Sequence, residues 1–226
     1  MKLIIQIPCY NEKEFLSLVL SELPKNIQGI DKIEVMVIND GSTDDTFQVA
    51  LDCGVHHIVD IPFNKGLANA FMKGIDACLK ANADIIVNID ADNQYYAGDI
   101  NKLVEPILSN NADIVIGARP ISEIKHFSPI KKILQKMGSW VVRYASQTDV
   151  QDAPSGFRAV SREAALRLNV YNDYTYTLET IIQAGQNGMK IVSIPIRVNE
   201  KTRPSRLVKS TSSYIKRSII TILRIF

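Results

Sequence analysis

Asp84-Ile-Ile-Val-Asn-Ile-Asp90-Ala-Asp92-Asn-Gln94 runs an apolar segment straight into two carboxylates one residue apart. Ile85, Ile86, Val87 and Ile89 read as a strand buried on both faces. Asp90 and Asp92 then fall just past its carboxyl end, the edge at which open α/β sheets bind ligands. Two carboxylates with the amide oxygen of Gln94 suit a hard divalent cation. Mg2+ and Mn2+ favour oxygen donors and are often held by one or two carboxylates while substrate phosphates fill other positions. A nucleoside diphosphate is a natural guest of such a site. A D-x-D pair also occurs in ordinary turns, where Asp is common.

Outward from this strand the chain alternates strand and helix. Leu3–Ile7 is expected to be a short strand stopped by Pro8, Ile33–Ile38 a buried strand, Val55–Asp60 a weaker one and Asp113–Ile116 another. Helical spacing covers Glu14–Leu23, a segment beginning near Asp44, Gly66–Ala81 and Asp99–Leu108. Such alternation means βαβ crossovers, hence an α/β fold with a mostly parallel central sheet flanked by helices. The last third departs from plain alternation, with helices expected over Ser128–Ala145, Ala164–Leu168 and Thr177–Gln186 and a late strand over Ile191–Val198.

The loops after the strands share one chemistry. Pro8-Cys-Tyr-Asn-Glu12 follows the first strand and Asn39-Asp-Gly-Ser-Thr-Asp44 the second, forming a polar rim along one sheet edge. Asp40 can accept hydrogen bonds from a base or ribose, and Tyr10 can pack on the base. Gly41, Ser42 and Thr43 read as a turn leading to a helix cap. In Asn64-Lys-Gly-Leu-Ala-Asn-Ala70, Lys65 or the amides entering the helix can meet anionic groups.

Composition narrows the classes. The 226 residues are 46% hydrophobic and 22% charged, an ordinary globular balance with a single sizeable core. The net charge of +2 hides an asymmetry, since residues 197–226 hold eight Lys/Arg against one acid. The acidic body and the absence of aromatic interleaving around Lys131-Lys132 argue against nucleic acid. Cys9, Cys53 and Cys78 lack metal-ligand spacing, and their odd number points to a reducing cytoplasm rather than a disulfide framework. His56 and His57 have no second ligand in register. The opening apolar run is too short for a signal peptide, and no uncharged run approaches the roughly 20 residues of a membrane span.

The joint order is the specific feature: P-x-Y-N-E, N-D-G-S-T-D, N-K-G-L-A-N-A, D-A-D-N-Q, then Gly117-Ala-Arg119 and Ser155-Gly-Phe-Arg158. It resembles the family 2 glycosyltransferases, in particular the dolichol-phosphate mannosyltransferase-like and bacterial polyprenyl-phosphate glycosyltransferase branch. The resemblance implies a type A nucleotide-sugar fold, an inverting mechanism and a divalent metal, Mg2+ or Mn2+. It puts Pro8, Tyr10 and Glu12 around the nucleoside, Asp40 at its base, and Asp90, Asp92 and Gln94 at ribose, diphosphate and metal. Arg119 and Arg158 fall near the phosphates of donor or acceptor. Arg203 and Arg206 take the place of an acceptor-phosphate segment, although Thr202-Arg-Pro-Ser-Arg206 has Pro before Ser and Arg after it where many members carry Gly and a Ser-Lys pair.

The expected reaction moves a sugar from a nucleoside-diphosphate sugar to a polyprenyl phosphate at the cytoplasmic membrane face. A sugar-hydroxyl acceptor would need a carboxylate base, for which Asp152 is best placed and Asp149 second, and a phosphate acceptor would need none. Asp152 can equally cap Ser155 and Gly156. A nucleotide-sugar binding or scaffolding protein that keeps the fold is the non-catalytic alternative.

Ser128–Ala145 interleaves Lys131, Lys132, Lys136 and Arg143 with apolar residues and Trp140, a pattern that fits a membrane interface, an acceptor-groove cover or core packing with a solvated basic face. The chain divides into a catalytic domain, 1–207, and a basic amphipathic tail, 208–226. That tail reads as a membrane-proximal interfacial helix, either a natural end or, as the resemblance implies, one cut off before transmembrane helices, or else as a helix folded back on the sheet.

Overall fold

In β1 (Lys2–Cys9) Leu3, Ile5 and Ile7 join one apolar cluster and Ile4 joins another, all without solvent exposure. A strand that buries both faces needs cover on both sides, and the chain supplies it. The structure, a computed structural model, describes residues 1–122, 129–171 and 176–199. The other strands are β2 (Lys32–Asp40), β3 (His57–Ile61), β4 (Ile85–Asn88), β5 (Ile114–Ala118), β6 (Arg158–Ser161) and β7 (Ile191–Pro195). They form a seven-stranded sheet in the order β3-β2-β1-β4-β6-β5-β7. Every pairing is parallel except those of β6, which runs antiparallel to both β4 and β5.

Helices α1 (Leu16–Glu22), α2 (Thr46–Asp52) and α4 (Ile100–Leu108) contribute to the cluster on one face of the sheet, through Leu16, Val19, Ala50, Leu103 and Val104. On the other face α3 (Leu67–Lys80), α5 (Pro129–Ser146), α6 (Arg162–Ala165) and α7 (Thr177–Gln186) contribute Phe71, Ile75, Val142, Ala164 and Ile181. The expected α/β architecture, a mostly parallel sheet between helices, is present. Because β1, β2, β4 and β5 point the same way, their carboxyl ends share one edge.

Some element boundaries differ from expectation for physical reasons. Pro8 does not stop β1. Ile89 N donates to Gln6 O, so the even-numbered residues of β1 turn their backbone polar groups toward β4. The β1–β4 pairing ends at Gln6 and Asn88, so the N–H that proline lacks falls where no partner strand remains. β6 was not anticipated: an arginine heads a four-residue strand and disguises it as a loop. β7 ends at Pro195 rather than Val198, and Val198 instead bridges to Tyr95. The basic tail 208–226, the boundary at 207, Arg203 and Arg206 lie outside the described residues.

Candidate active site

The loops after β1 and β2 are stitched together. Asn11 N donates to Ser42 Oγ, Glu12 N to Thr46 Oγ1 and Thr43 N to Asn11 Oδ1. Asp44 accepts from the Thr46 amide and hydroxyl at the entry to α2, while the N-cap residue itself, Asp45, makes no side-chain cap bond. Gly41 has φ +65°, and a Cβ there would collide with the Phe63 and Asn64 backbone. Its turn is therefore also a close approach to the loop after β3.

Asp40 secures that approach. Its carboxylate accepts from Asn64 Nδ2 at 3.0 Å and from the Lys65 and Gly66 amides at 2.9 Å each. Burial pushes its carboxyl up, and those two amides oppose the shift. The amides that the sequence offered to anionic groups are thus taken by Asp40. The Lys65 ammonium remains, 4.9 Å over the exposed Phe63 ring. Tyr10, 40% exposed, stands on the rim, while Glu12 is buried below it.

At the end of β4, burial and then the neighbouring Asp92 carboxylate drive Asp90 up to about 7, against the pull of Arg119 and Arg158. Asp92 accepts from Gln94 N at 3.3 Å and from Gln94 Nε2 at 2.6 Å. Two carboxylates held this close at a strand end carry the charge excess that a divalent cation relieves. No group of three or more His, Cys, Asp or Glu able to hold a metal gathers among the described residues. A pair of carboxylates suits a cation whose remaining positions phosphate oxygens and water would fill, as in Mg2+ and Mn2+ sites on nucleotides. Gln94 braces Asp92 through its amide nitrogen.

Arg119, at the end of β5, reaches Asp152 with Nε at 2.6 Å and Nη2 at 2.9 Å, and its backbone amide adds a third contact at 3.2 Å. The guanidinium is 13% exposed and the carboxylate 2%. Burial alone would lower the arginine's proton affinity, and Asp152 more than reverses that. The two residues that the sequence assigned to separate tasks form one bidentate pair.

Arg158 turns inward. It donates to Ser155 O, to Thr180 Oγ1 at 2.8 Å and to Thr177 O, lies 5.0 Å from the Tyr176 ring centre, and is 1% exposed. The turn it grips is held from other sides too. Asn88 Nδ2 donates to Gly156 O at 2.9 Å and to the Tyr176 hydroxyl at 2.9 Å, and Gly156 N donates to the Tyr95 hydroxyl at 3.1 Å. Gly156 in turn lies against Asp90, where a Cβ would stand 2.8 Å from both carboxylate oxygens. Arg158, Asn88, Tyr95 and Tyr176 thus build the floor under Asp90.

Asp90, Asp92, Gln94, Arg119 and Asp152 gather at the ends of β4 and β5, and Pro8, Tyr10, Glu12, Asp40 and Lys65 line the same edge beside β1 to β3. The floor was missed, and one signal pointed to it. Gln6 and Asn88 each interrupt an otherwise apolar strand, they face each other in register, and Gln6 Nε2 donates to Asn88 Oδ1 at 3.0 Å. Segment 197–199, which holds the loop after Asp92, was also missed.

A model of Glycosyl transferase family 2 matches residues 4–174. An uncharacterized glycosyltransferase of Mycobacterium tuberculosis is 32% identical, over 97% of this chain and 94% of that one. Dolichol-phosphate mannosyltransferase of Pyrococcus furiosus is 29% identical over 95% of this chain and 61% of that one. Glucosyl-3-phosphoglycerate synthase of Mycobacterium tuberculosis, solved with Mn2+, uridine-diphosphate and phosphoglyceric acid, superposes with a TM-score of 0.74 at 19% identity, over 100% of this chain and 79% of that one. That likeness shows the fold alone, the type A nucleotide-sugar fold.

Proposed function

Because this chain belongs to glycosyl transferase family 2, in its dolichol-phosphate mannosyltransferase-like branch, we propose that it moves a sugar, with inversion, from a nucleoside-diphosphate sugar to a polyprenyl phosphate at the cytoplasmic face of a membrane. The observation that carries this reading is the Asp90–Asp92 pair at the end of β4, with Arg119 at the end of β5, the next strand beyond β6 that runs the same way. Mg2+ or Mn2+ held by Asp90 and Asp92 would offset the charge of the diphosphate leaving group. Tyr10 packs on the base, Pro8 and Glu12 shape the nucleoside wall, and Lys65 offers a cation to the donor. Asp40 acts by fixing the loop that carries Lys65. Arg158 acts from below, on Asp90 and the 155–157 turn.

The Arg119–Asp152 pair favours the phosphate acceptor over a sugar hydroxyl. Both Asp152 oxygens accept from Arg119, so taking a proton there would break a buried charge-assisted pair. A phosphate monoester brings its own negative charge, since its second pKa is about 6, and needs only to be positioned in line and neutralised. Nε and Nη2 of Arg119 hold Asp152, which leaves Nη1 to face that phosphate.

Helix α5 supports the membrane location. Ile133, Met137, Trp140 and Tyr144, between 58% and 81% exposed, recur along one side, Trp140 stacks with Tyr144, and the helix contains no acid. An apolar stripe flanked by Lys132, Lys136 and Arg143 suits an anionic lipid interface. No helix among the described residues is long and apolar enough to cross a membrane.

A panel of nucleoside-diphosphate sugars, offered with a short polyprenyl phosphate or the matching polyprenol, tests the reading. Sugar should appear on the phosphate and not on the alcohol, in the anomeric form opposite to the donor's. No transfer to either lipid, with transfer to an oligosaccharide offered in their place, would replace this reading with polysaccharide synthesis.

A further inference from the structure

The loop that carries Asp92 is fastened to the segment just past β7. Asn93, between Asp92 and Gln94, adopts φ +55°, a left-handed conformation that Asn tolerates better than most residues but that gives a turn little stiffness of its own. Asn199 grips this turn. Its Nδ2 donates to Asn93 O at 3.1 Å, Asn93 Oδ1 at 3.0 Å and Tyr95 O at 3.3 Å, and its amide donates to Gln94 O at 2.9 Å.

A second set of bonds fixes Asn199 itself. Tyr96 N donates to Arg197 O, and Tyr95 bridges to Val198. Arg197 adds its amide to Asp99 Oδ2 at 2.7 Å and its Nη2 to Asp99 Oδ1 at 2.7 Å, and its guanidinium carbon lies 3.9 Å from the Tyr96 ring centre. Asp99 is fully buried and also pairs with Lys102 at 2.9 Å.

We infer that Asn199 is a positioning residue for the cation site, holding the Asp92–Gln94 turn in the one shape that keeps Asp92 beside Asp90. The inference rests on the cation reading proposed above. Residues that orient a metal ligand without touching the metal are worth about 10–100-fold in metal affinity. Asn199 has the chemistry for that role: its single NH2 group meets the two oxygens of Asn93 and the carbonyl of Tyr95, an arrangement no carboxylate reproduces.

The test measures Mn2+ binding to the full chain by electron paramagnetic resonance of the free ion, with saturating UDP or GDP, well below every variant's melting temperature. Wild type should bind Mn2+, and Asp92→Asn should lose it. Asn199→Ala and Asn199→Asp should each bind about tenfold more weakly, and the milder Asn199→Ser should fall between them and wild type. Melting curves recorded in parallel separate the two roles, because a merely structural Asn199 lowers the melting temperature and leaves the Mn2+ affinity of the folded protein unchanged. Unchanged affinity in the Asn199 variants, with wild type binding and Asp92→Asn not, overturns this inference and spares the cation reading. No Mn2+ binding by wild type overturns both.

Discussion

Gly156 shows how little freedom the site allows at a single residue. Its Cα leans on the Asp90 carboxylate, and a methyl group there would sit 2.8 Å from both oxygens, closer than a real contact permits. Gly156→Ala should therefore displace Asp90, weaken Mn2+-dependent nucleotide binding severalfold and destabilise the fold by about 1–3 kcal/mol. Calorimetric titration beside a denaturant melt measures both, and an unchanged binding constant would mean that Asp90 does not hold the cation. Arg119 and Asp152 make a second case. Removing either partner strands a buried charge, an effect of about 3–5 kcal/mol, whereas removing both strands none. In a double-mutant cycle followed by denaturant unfolding, Arg119→Ala and Asp152→Ala should each destabilise strongly and the double variant by clearly less than their sum. Additive effects would mean that the pair seen here contributes nothing as a pair.

At the scale of elements, the strands are anchored at the end remote from the site. Glu34 on β2 meets Lys2 of β1, Lys32 of β2 and His57 of β3, each at 2.7 Å. Burial alone would raise its carboxyl, but the three partners outweigh burial and bring it from 4.5 down to about 2. A carboxyl lowered in the folded state adds stability that is complete above its unfolded value and is lost as pH falls through the folded one. Wild-type stability should accordingly drop between pH 4.5 and about 2, and Glu34→Gln should flatten that limb in denaturant midpoints taken across the range. A limb of equal slope in the variant would assign the acid sensitivity elsewhere.

The elements also show what a sequence can reveal. β1, β2, β4 and β5 were legible because a strand covered on both faces must be an apolar run, and the residues just past such a run must form the polar rim. Asp90 and Asp92 were named for that reason, whereas Arg119 was named through the family resemblance alone. β6 was not, because Arg158 at its head is a charged residue buried against Thr180 Oγ1 and the Ser155 carbonyl, and no local pattern announces such partners. Asn199 escaped for a related reason: its partners lie about a hundred residues away, beyond any periodicity. Arg119 and Asp152 were both named, yet their pairing is visible only once β5 and the loop before β6 are side by side.

For the whole molecule, under the proposed function, the polar edge of the sheet and the apolar stripe of α5 would share one task, bringing a water-soluble donor to a lipid-borne acceptor. Ser139 of α5 accepts from the Ala153 amide, directly after Asp152, so the helix with the exposed stripe is packed onto the loop that holds Arg119. The chain should float with anionic vesicles in low salt and release in high salt, each basic residue near the surface adding about 1 kcal/mol. Trp140→Ala with Tyr144→Ala should reduce flotation and leave nucleotide affinity intact, and deletion of 208–226 should lower it further. Flotation unchanged in both variants would remove α5 and the tail as the contact.

The proposed function requires Asp90 and Asp92 to hold a divalent cation against a nucleoside diphosphate. Isothermal titration of UDP and GDP into wild type and Asp92→Asn, each with Mn2+, with Mg2+ and with chelator, tests it directly. Wild type should bind at least one of the two tightly with metal and weakly with chelator, while Asp92→Asn, still folded, should bind weakly in all three conditions. Equal wild-type affinity with metal and with chelator would mean that Asp90 and Asp92 hold no cation there.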